Sequence, residues 1–101
     1  AFDSRFMLCT VPVREDKQGD IPAVLHVDGT TRPQSVHKAL SPRYHAMISH
    51  FHQLTGVPMV TNTSFNTAFE PIVCTPSDAI ASWLQLGADA LAIEDWLVFR
   101  R

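Results

Sequence analysis

Hydrophobic and polar residues form short alternating segments at the start of the chain. Residues 6–13 and 21–27 are mostly apolar, and each has the length of a strand. The charged segment 14–20 between them predicts a solvated loop. We therefore expect two β-strands before residue 28.

A hairpin is predicted directly after the second of these strands. Asp28 and Gly29 both tolerate positive φ, as the two central residues of a type I′ turn require. The returning arm covers residues 30–36. Pro33 within it favours the edge of a sheet, because proline has no N–H to donate. Arg32 is then expected close to the hairpin tip.

The middle of the chain changes to helical spacing. Ser41 followed by Pro42 predicts a helix start, with the serine hydroxyl capping free amides, and Gly56 is suited to the helix end. Residues 57–61 then predict a short buried strand. The apolar stripe of this first helix consists of Tyr44, Met47, Ile48, Phe51 and Leu54.

The last third of the chain predicts a second helix and two strands. Thr75 and Asp78 have the spacing of a capping box, and Gly87 marks the end of the helix. Residues 90–93 and 96–99 are short apolar segments and predict two strands. The apolar stripe of this second helix consists of Ala79, Ile80, Trp83 and Leu84.

This mixture of elements predicts an α/β or α+β fold, with a mixed sheet and two main helices. The 101 residues are one domain of ordinary size, so we assign residues 1–101 to one domain. Apolar residues make up 46% of the chain and charged residues 18%, which is a globular composition that argues against intrinsic disorder.

Charge and hydropathy argue against two classes of partner. The 8 basic and 10 acidic residues give a net charge of −2, and the longest basic run is Arg100-Arg101. Proteins that bind nucleic acid concentrate positive charge on one face, so we expect no nucleic-acid partner. No apolar stretch approaches the ~20 residues of a membrane-spanning helix, so we expect a cytoplasmic protein with no membrane partner.

Neither the cysteines nor the histidines predict a metal site. Cys9 and Cys74 lie in apolar runs and lack a second ligand at zinc spacing. Two buried free thiols are expected, and a disulfide between them is the alternative. Histidine ligands on one helix need i,i+3 or i,i+4 spacing, whereas His45 and His52 are seven residues apart.

One polar loop is the main candidate for chemistry. The chain has no glycine-rich phosphate loop and no Gly-x-Ser-x-Gly sequence. Residues 62–66 carry mostly short polar side chains after a predicted strand, where α/β folds open their ligand crevices. Their amides and hydroxyls can donate to phosphate or carbamoyl oxygens, and Arg32 could supply a cation. The alternative is an ordinary loop, with Arg32 on a solvated edge.

Several stretches of the chain occur together in an order that is typical of one family. They are His26-Val27-Asp28-Gly29-Thr30-Thr31-Arg32-Pro33-Gln34, Leu54-Thr55-Gly56-Val57-Pro58, and Asn62-Thr63-Ser64-Phe65-Asn66 with Glu70-Pro71-Ile72-Val73. On these stretches the chain resembles the C-terminal domain of the O-carbamoyltransferases. That family includes enzymes that carbamoylate nodulation factors, cephalosporins and aminoglycosides. The resemblance runs from Phe6 to Val98.

The resemblance implies a fold and an activity. Residues 1–101 would be the C-terminal portion of a YrdC-like domain, similar to threonylcarbamoyl-adenylate synthases and truncated at its N-terminal side. ATP and carbamoyl phosphate would be its substrates, with Mg²⁺, and carbamoyl-adenylate its product. An N-terminal domain of the actin-like ATPase type, holding iron, would pass the carbamoyl group to a substrate hydroxyl.

The resemblance also implies site residues. In YrdC-like sites a Lys-x-Arg pair and a Ser-x-Asn pair hold the phosphates and the carbamoyl group. Ser64 and Asn66 match the second pair, and Arg32 and Asn62 stand where carbamoyltransferases carry further site residues. Arg32 and Ser64 would then be catalytic, and all four residues would bind nucleotide and carbamoyl phosphate.

The chain departs from the family pattern at two places. The family usually has glycine before the Glu-Pro-Ile-Val run, whereas this chain has Phe69. A bulky residue disfavours positive φ and predicts a different loop. No Lys-x-Arg pair occurs in residues 1–20. We therefore expect that pair upstream of residue 1, and we expect the isolated chain to be inactive.

Other functions are compatible with the same residues. A non-catalytic nucleotide- or partner-binding module with this fold is the main alternative to an enzyme. An RNA-binding role is a further one, although the net charge of −2 argues against it. An exposed sheet edge would also allow two copies to pair as a homodimer.

Overall fold

The chain divides into two compact units, Ala1–Thr61 and Asn62–Arg101. A computed structural model describes residues 3–100. Each unit contains one main helix and one small antiparallel sheet, so the expected α+β fold with two main helices is confirmed. The first unit contains β1 (Val11–Pro12), β2 (Thr30–Thr31) and α1 (Pro42–Thr55), and the second contains α2 (Pro76–Leu86), β3 (Ala90–Ile93) and β4 (Trp96–Phe99).

The strands of the first unit are shorter than predicted and pair differently. β2 pairs with β1 in antiparallel register, with Val11 opposite Thr31. The predicted strand 21–27 is wrong, because Pro22–Val24 forms a 3₁₀ helix instead. Proline fixes φ near −65° and donates no N–H, which suits the first turn of a helix better than a ladder. The charged segment also contains a 3₁₀ helix, Glu15–Asp20.

The turn before β2 has three residues rather than the predicted two. The His26 amide donates to the Thr30 carbonyl at 2.8 Å, and the Gly29 amide donates to the His26 carbonyl at 3.0 Å. Gly29 has a φ of +77°, whereas Asp28 does not have a positive φ, so the predicted type I′ turn is wrong. The Asp28 carboxylate instead accepts bonds from the Thr30 amide at 3.0 Å and from the Thr30 hydroxyl at 2.7 Å.

α1 begins and ends where the sequence predicts, but its start is not capped by a side chain. Ser41 precedes Pro42 at the N-terminus, and Gly56 ends the helix with a φ of +77°. The Ser41 hydroxyl makes no capping hydrogen bond, so that part of the prediction is wrong. No residue of α1 is buried. Residues 57–61 form no strand, which is also contrary to prediction.

α2 starts with the predicted capping box. The Asp78 amide donates to the Thr75 hydroxyl at 3.1 Å, and the Thr75 amide donates to the Asp78 carboxylate at 3.0 Å. The Cys74 amide donates to the same carboxylate at 3.3 Å. These reciprocal bonds satisfy amides that a helix leaves unpaired at its N-terminus. Gly87 ends α2 in the left-handed region, as predicted.

β3 and β4, the two predicted strands, pair with each other as an antiparallel hairpin, and α2 packs against β3. The two strands pair from Ala90 opposite Phe99 to Ile93 opposite Trp96. The core of this unit consists of Ala79, Trp83 and Leu91, each no more than 6% exposed. The outer part of the predicted helix stripe, Ile80 and Leu84, is about half exposed.

Two further expectations concern the cysteines and a membrane span. Cys9 and Cys74 are free thiols and both are exposed, so their predicted burial is wrong. They lie in irregular segments outside the small core. His37 Nε2 contacts an Asp3 carboxylate oxygen at 3.0 Å, a partner that is remote in sequence. No helix in residues 3–100 has the length and apolar character needed to cross a membrane.

Candidate functional site

Three of the four predicted site residues share one irregular loop of the second unit. Asn62, Ser64 and Asn66 lie between residue 62, where this unit begins, and the turn that leads to α2. The Val73 amide donates to the Phe65 carbonyl at 3.1 Å, so the loop closes on itself. The three residues therefore belong to one closed loop.

Asn66 is bound into the loop through only one end of its amide. Its Nδ2 donates to the carbonyls of Thr67 and Glu70, each at 3.0 Å. Its Oδ1 is buried and accepts no hydrogen bond within residues 3–100. A buried acceptor without a donor is costly, and a ligand N–H can satisfy it once the loop opens, because the oxygen has almost no accessible surface. Asn66 is thus arranged to accept a hydrogen bond, whereas the sequence suggested that it donates one.

Glu70 fixes this loop to α2. Its carboxylate accepts a hydrogen bond from the Thr67 hydroxyl and a longer one, 3.4 Å, from the hydroxyl of Ser82. Ser82 is buried on α2. Hydrogen bonding by Thr67, more than by any other group, holds the pKa of Glu70 below its ordinary value. The loop is therefore tied to the helix by an ionised carboxylate.

Sequence reasoning did not assign this role to Glu70. The residue belongs to the Glu-Pro-Ile-Val run that carries part of the family resemblance, and this was the available signal. Its helix partner Ser82 is twelve positions away, however, and nothing in the spacing identifies it.

Phe69 adopts the conformation that the usual glycine would allow. Its φ is +72°, and the Glu70 amide donates to the Thr67 carbonyl at 3.3 Å. A positive φ at the third position of such a turn is typical of type II turns and normally selects glycine. The expectation that a bulky residue avoids a positive φ at this position is therefore wrong. The left-handed backbone costs roughly 1 kcal/mol for an L-residue, and the ring is fully exposed.

Ser64 and Asn62 are both exposed on the loop. Within residues 3–100, the Ser64 hydroxyl makes no hydrogen bond to another side chain or to the backbone. The hydroxyl can rotate freely and can therefore donate to a ligand oxygen or accept from a ligand N–H. Ser64 and Asn66 together thus offer one donor and one acceptor.

Arg32 belongs to the other unit. It follows β2 directly, as predicted for a position close to the hairpin tip, and its side chain is exposed. Among the described residues no carboxylate forms an ion pair with it. Its guanidinium is therefore available to an anionic ligand, with the forked geometry that suits a phosphate group.

No cluster of three or more His, Cys, Asp or Glu side chains in residues 3–100 is arranged to hold a metal ion. Glu70, the carboxylate nearest in sequence to the loop residues, already has hydroxyl partners.

The match to the family described as "Carbamoyltransferase C-terminus" covers residues 1–100, almost the whole chain. The chain belongs to the carbamoyltransferase C-terminal family. The family predicted from the sequence stretches is thereby confirmed.

Relatives with assigned names include two nodulation proteins and one enzyme. The chain is 43% identical over 96 residues to nodulation protein NolNO of Sinorhizobium fredii, covering 95% of this chain and 14% of that protein. It is 43% identical to nodulation protein NolO of Bradyrhizobium diazoefficiens, over 95% of this chain and 18% of that protein. It is 32% identical to 3'-hydroxymethylcephem-O-carbamoyltransferase of Amycolatopsis lactamdurans, over 93% of this chain and 18% of that enzyme.

The chain thus spans less than a fifth of each of these relatives.

Proposed function

We propose that this carbamoyltransferase C-terminal domain binds carbamoyl phosphate and ATP and forms carbamoyl-adenylate. The carbamoyl group would then pass to a substrate hydroxyl at an N-terminal actin-like domain of a longer protein. Family membership supports carbamoyl chemistry. The name of the Amycolatopsis relative states O-carbamoyl transfer for that enzyme.

The buried, unpartnered Oδ1 of Asn66 is the observation that carries this proposal. A carbamoyl group presents an NH₂ donor beside a carbonyl acceptor. Once the loop opens to expose it, Asn66 Oδ1 accepts from the NH₂, and the exposed Ser64 hydroxyl donates to the carbonyl oxygen. Acetyl or plain phosphoryl groups have no such donor, so this pair of side chains selects carbamoyl ligands.

The reaction needs charge stabilisation more than a protein nucleophile. Water cleaves carbamoyl phosphate to carbamate and phosphate, and a carbamate oxygen then attacks the α-phosphorus of ATP, releasing pyrophosphate. Negative charge concentrates on the α-phosphate oxygens as the new P–O bond forms. Arg32 stabilises that charge, and Ser64, Asn62 and Asn66 orient the carbamoyl end.

We expect these 101 residues to bind ligands without turning them over. The Lys-x-Arg pair of related sites does not occur in the sequence, and the second step is assigned to another domain. Carbamoyl transfer by this chain alone would contradict that expectation. Binding without pyrophosphate release in a protein that includes the Lys-x-Arg segment would favour a non-catalytic binding module.

A comparison of two acyl phosphates tests the proposed role of Asn66. Acetyl phosphate replaces the NH₂ of carbamoyl phosphate by CH₃ at nearly the same size. The chain should bind carbamoyl phosphate about tenfold more tightly than acetyl phosphate, because one buried hydrogen bond is lost. The preference should disappear in Asn66→Ala, and it should persist in Thr63→Ala as a matched loop control. Equal affinity for the two acyl phosphates in the unaltered chain would contradict the proposal.

A further inference from the structure

Three side chains of the turn before β2 form a hydrogen-bonded chain that the proposed function does not use. The Thr30 hydroxyl lies 2.7 Å from a carboxylate oxygen of Asp28 and 2.9 Å from Nδ1 of His26. All three residues belong to the first unit and are close in sequence to Arg32. Thr30 therefore connects an acidic group to a histidine near the proposed phosphate ligand.

The direction of these hydrogen bonds fixes the tautomer of His26. An ionised carboxylate only accepts, so the single hydroxyl proton of Thr30 goes to Asp28. The hydroxyl oxygen must then accept from His26, and Nδ1 therefore carries a proton. Hydrogen bonding by the Thr30 hydroxyl, followed by the Thr30 amide, lowers the pKa of Asp28 below its ordinary value of 3.8. The carboxylate is thus ionised at neutral pH, as this arrangement requires.

Nε2 is the ring nitrogen of His26 that a ligand can reach. Within residues 3–100 this atom makes no hydrogen bond, and His26 is exposed. Because Nδ1 already carries a proton, the second proton, which histidine ordinarily gains between about pH 8 and 5, is added at Nε2. A protonated His26 thus presents one charged N–H donor to solvent, while Nδ1 stays bonded to Thr30.

His26 and Arg32 lie on the same face of β2. The Thr31 hydroxyl donates to the Val24 carbonyl at 2.7 Å, so the Thr31 side chain is on the side of Val24. Side chains alternate along extended backbone, and the proline that follows Arg32 favours an extended conformation there. Thr30, which contacts the His26 ring, and Arg32 therefore share the opposite face, with Cα atoms at most about 7 Å apart.

The elements around His26 leave this face open to an anion. Neither β1, Val11–Pro12, nor the 3₁₀ helix Pro22–Val24 carries a charged side chain. Within residues 3–100 no carboxylate pairs with Arg32, and Asp28 is already bonded to the turn. The charged side chains between β1 and the 3₁₀ helix are Glu15 and two local ion pairs, Arg14–Asp16 at 2.8 Å and Lys17–Asp20 at 3.0 Å.

We propose that His26 is a second phosphate ligand beside Arg32, and that it donates from Nε2 in its protonated form. The inference rests on the proposed function, in which Arg32 binds a phosphoryl group. The imidazolium adds a charge-assisted hydrogen bond to the forked contact of the guanidinium. Asp28 and Thr30 are positioning residues, because they orient the ring and hold its tautomer through Nδ1. Phosphate affinity then rises as pH falls through the histidine range.

Titration of sulfate into the 101-residue chain, followed by NMR, measures the contribution of His26. Sulfate resembles a phosphoryl group and keeps its charge between about pH 5 and 8, so any pH dependence comes from the protein. The unaltered chain should bind sulfate about tenfold more tightly at the acidic end of this range. His26→Gln keeps an amide donor without the charge and should remove the pH dependence. His50→Gln alters an exposed histidine on α1 and should preserve it.

Long-range proton–nitrogen NMR spectra test the positioning role of Thr30. In the unaltered chain at about pH 8, His26 should be the Nδ1–H tautomer. Thr30→Val keeps the side-chain shape but removes the hydroxyl. It should release the ring to a mixture of tautomers and weaken sulfate binding about threefold at about pH 5. Thr31→Val removes a hydroxyl on the other face and is the matched control, which should change neither result.

The outcomes separate this inference from the proposed function. Sulfate affinity that does not change with pH, that keeps its pH dependence in His26→Gln, or that is absent in the folded chain overturns the assignment of His26. An Nε2–H tautomer in the unaltered chain overturns the role of Thr30. Carbamoyl phosphate binding that depends on Ser64 would then leave the carbamoyl proposal standing. Sulfate binding that needs His26, in a chain that does not distinguish carbamoyl phosphate from acetyl phosphate, would support this inference and contradict the proposed function.

Discussion

α1 and α2 have similar sequence signals but different structural support. Each has a hydroxyl residue followed by proline at its start and a left-handed glycine at its end. α2 has reciprocal cap bonds and buries Ala79, Ser82 and Trp83, whereas α1 has no side-chain cap and buries nothing. The hairpin β3–β4 comes directly after α2, whereas an irregular segment comes after α1. The comparison shows that local signals position a helix, and that its burial depends on the neighbouring element against which it can pack.

The two helices should differ most in the free energy of unfolding that is lost when an aromatic side chain is removed from the apolar face of each. Trp83→Ala should lower the free energy of unfolding by about 3 kcal/mol, since the indole is only 6% exposed and packs in the core. Phe51→Ala on α1 should cost less than about 1 kcal/mol, because that ring is 39% exposed. Urea unfolding followed by circular dichroism measures both values. Equal losses would show that the two helices are equally supported.

A smaller difference in stability is expected when the hydroxyl residue at the start of each helix is replaced. Thr75→Ala should cost about 1 kcal/mol, because it leaves the Asp78 amide without its acceptor. Ser41→Ala should change stability by less than about 0.5 kcal/mol, since that hydroxyl makes no capping bond. The same unfolding assay applies. A loss in Ser41→Ala as large as that in Thr75→Ala would contradict the difference in capping.

Relief of backbone strain beside α2 should have a still smaller effect. Phe69→Gly should raise the free energy of unfolding by about 0.5 kcal/mol, because glycine adopts a φ of +72° without steric cost but also loosens the unfolded chain. Phe69→Ala serves as the matched control, since it removes the ring and keeps the Cβ. If glycine is no more stabilising than alanine, the turn carries no strain.

The smallest effect is the loss of the stabilisation that ionised Asp78 provides, and it should appear only at acidic pH. Hydrogen bonding by the Thr75 side chain, followed by the Cys74 and Thr75 backbone amides, lowers the pKa of Asp78 below its ordinary value of 3.8. A lowered folded-state pKa stabilises the fold above the unfolded value, and the contribution is lost as pH falls below about 4 through the folded pKa. The amide resonances of Cys74 and Thr75 should therefore titrate below pH 4.

α1 supplies the internal control for this titration, because its first turn has no acidic residue. Amides at the start of α1 should not follow the Asp78 transition, and Asp78→Asn should abolish that transition at Cys74 and Thr75. A Cys74 or Thr75 titration centred at or above 3.8 would contradict the lowered pKa.

Sequence reasoning succeeded where the determining contacts are local. The capping box at Thr75 and the strands 90–93 and 96–99 depend on neighbours within a few residues, and all were predicted with the correct bounds. The prediction of a strand at 21–27 was wrong because the proline within it favoured a 3₁₀ turn. The pairing of β2 with β1 was not predicted, because the paired residues are eighteen or more positions apart.

The candidate site likewise combines features that the local sequence predicts with features that depend on contacts to other segments. The resemblance identified Ser64 and Asn66 from a short motif, and their shared loop follows from spacing alone. The orientation of the Asn66 amide could not be predicted, because it depends on the Thr67 and Glu70 carbonyls. The anchoring of Glu70 by Ser82 depends on a helix formed later in the chain.

The most direct test of the central claim is calorimetric titration of carbamoyl phosphate and ATP into this chain and two variants. Arg32→Ala should weaken both ligands, and Ser64→Ala should weaken carbamoyl phosphate. Arg43→Ala and Ser77→Ala serve as matched controls for lost charge and lost hydroxyl, and neither should change either affinity. Carbamoyl phosphate binding that survives unchanged in both Arg32→Ala and Ser64→Ala, or no binding by the folded unaltered chain, would contradict the account.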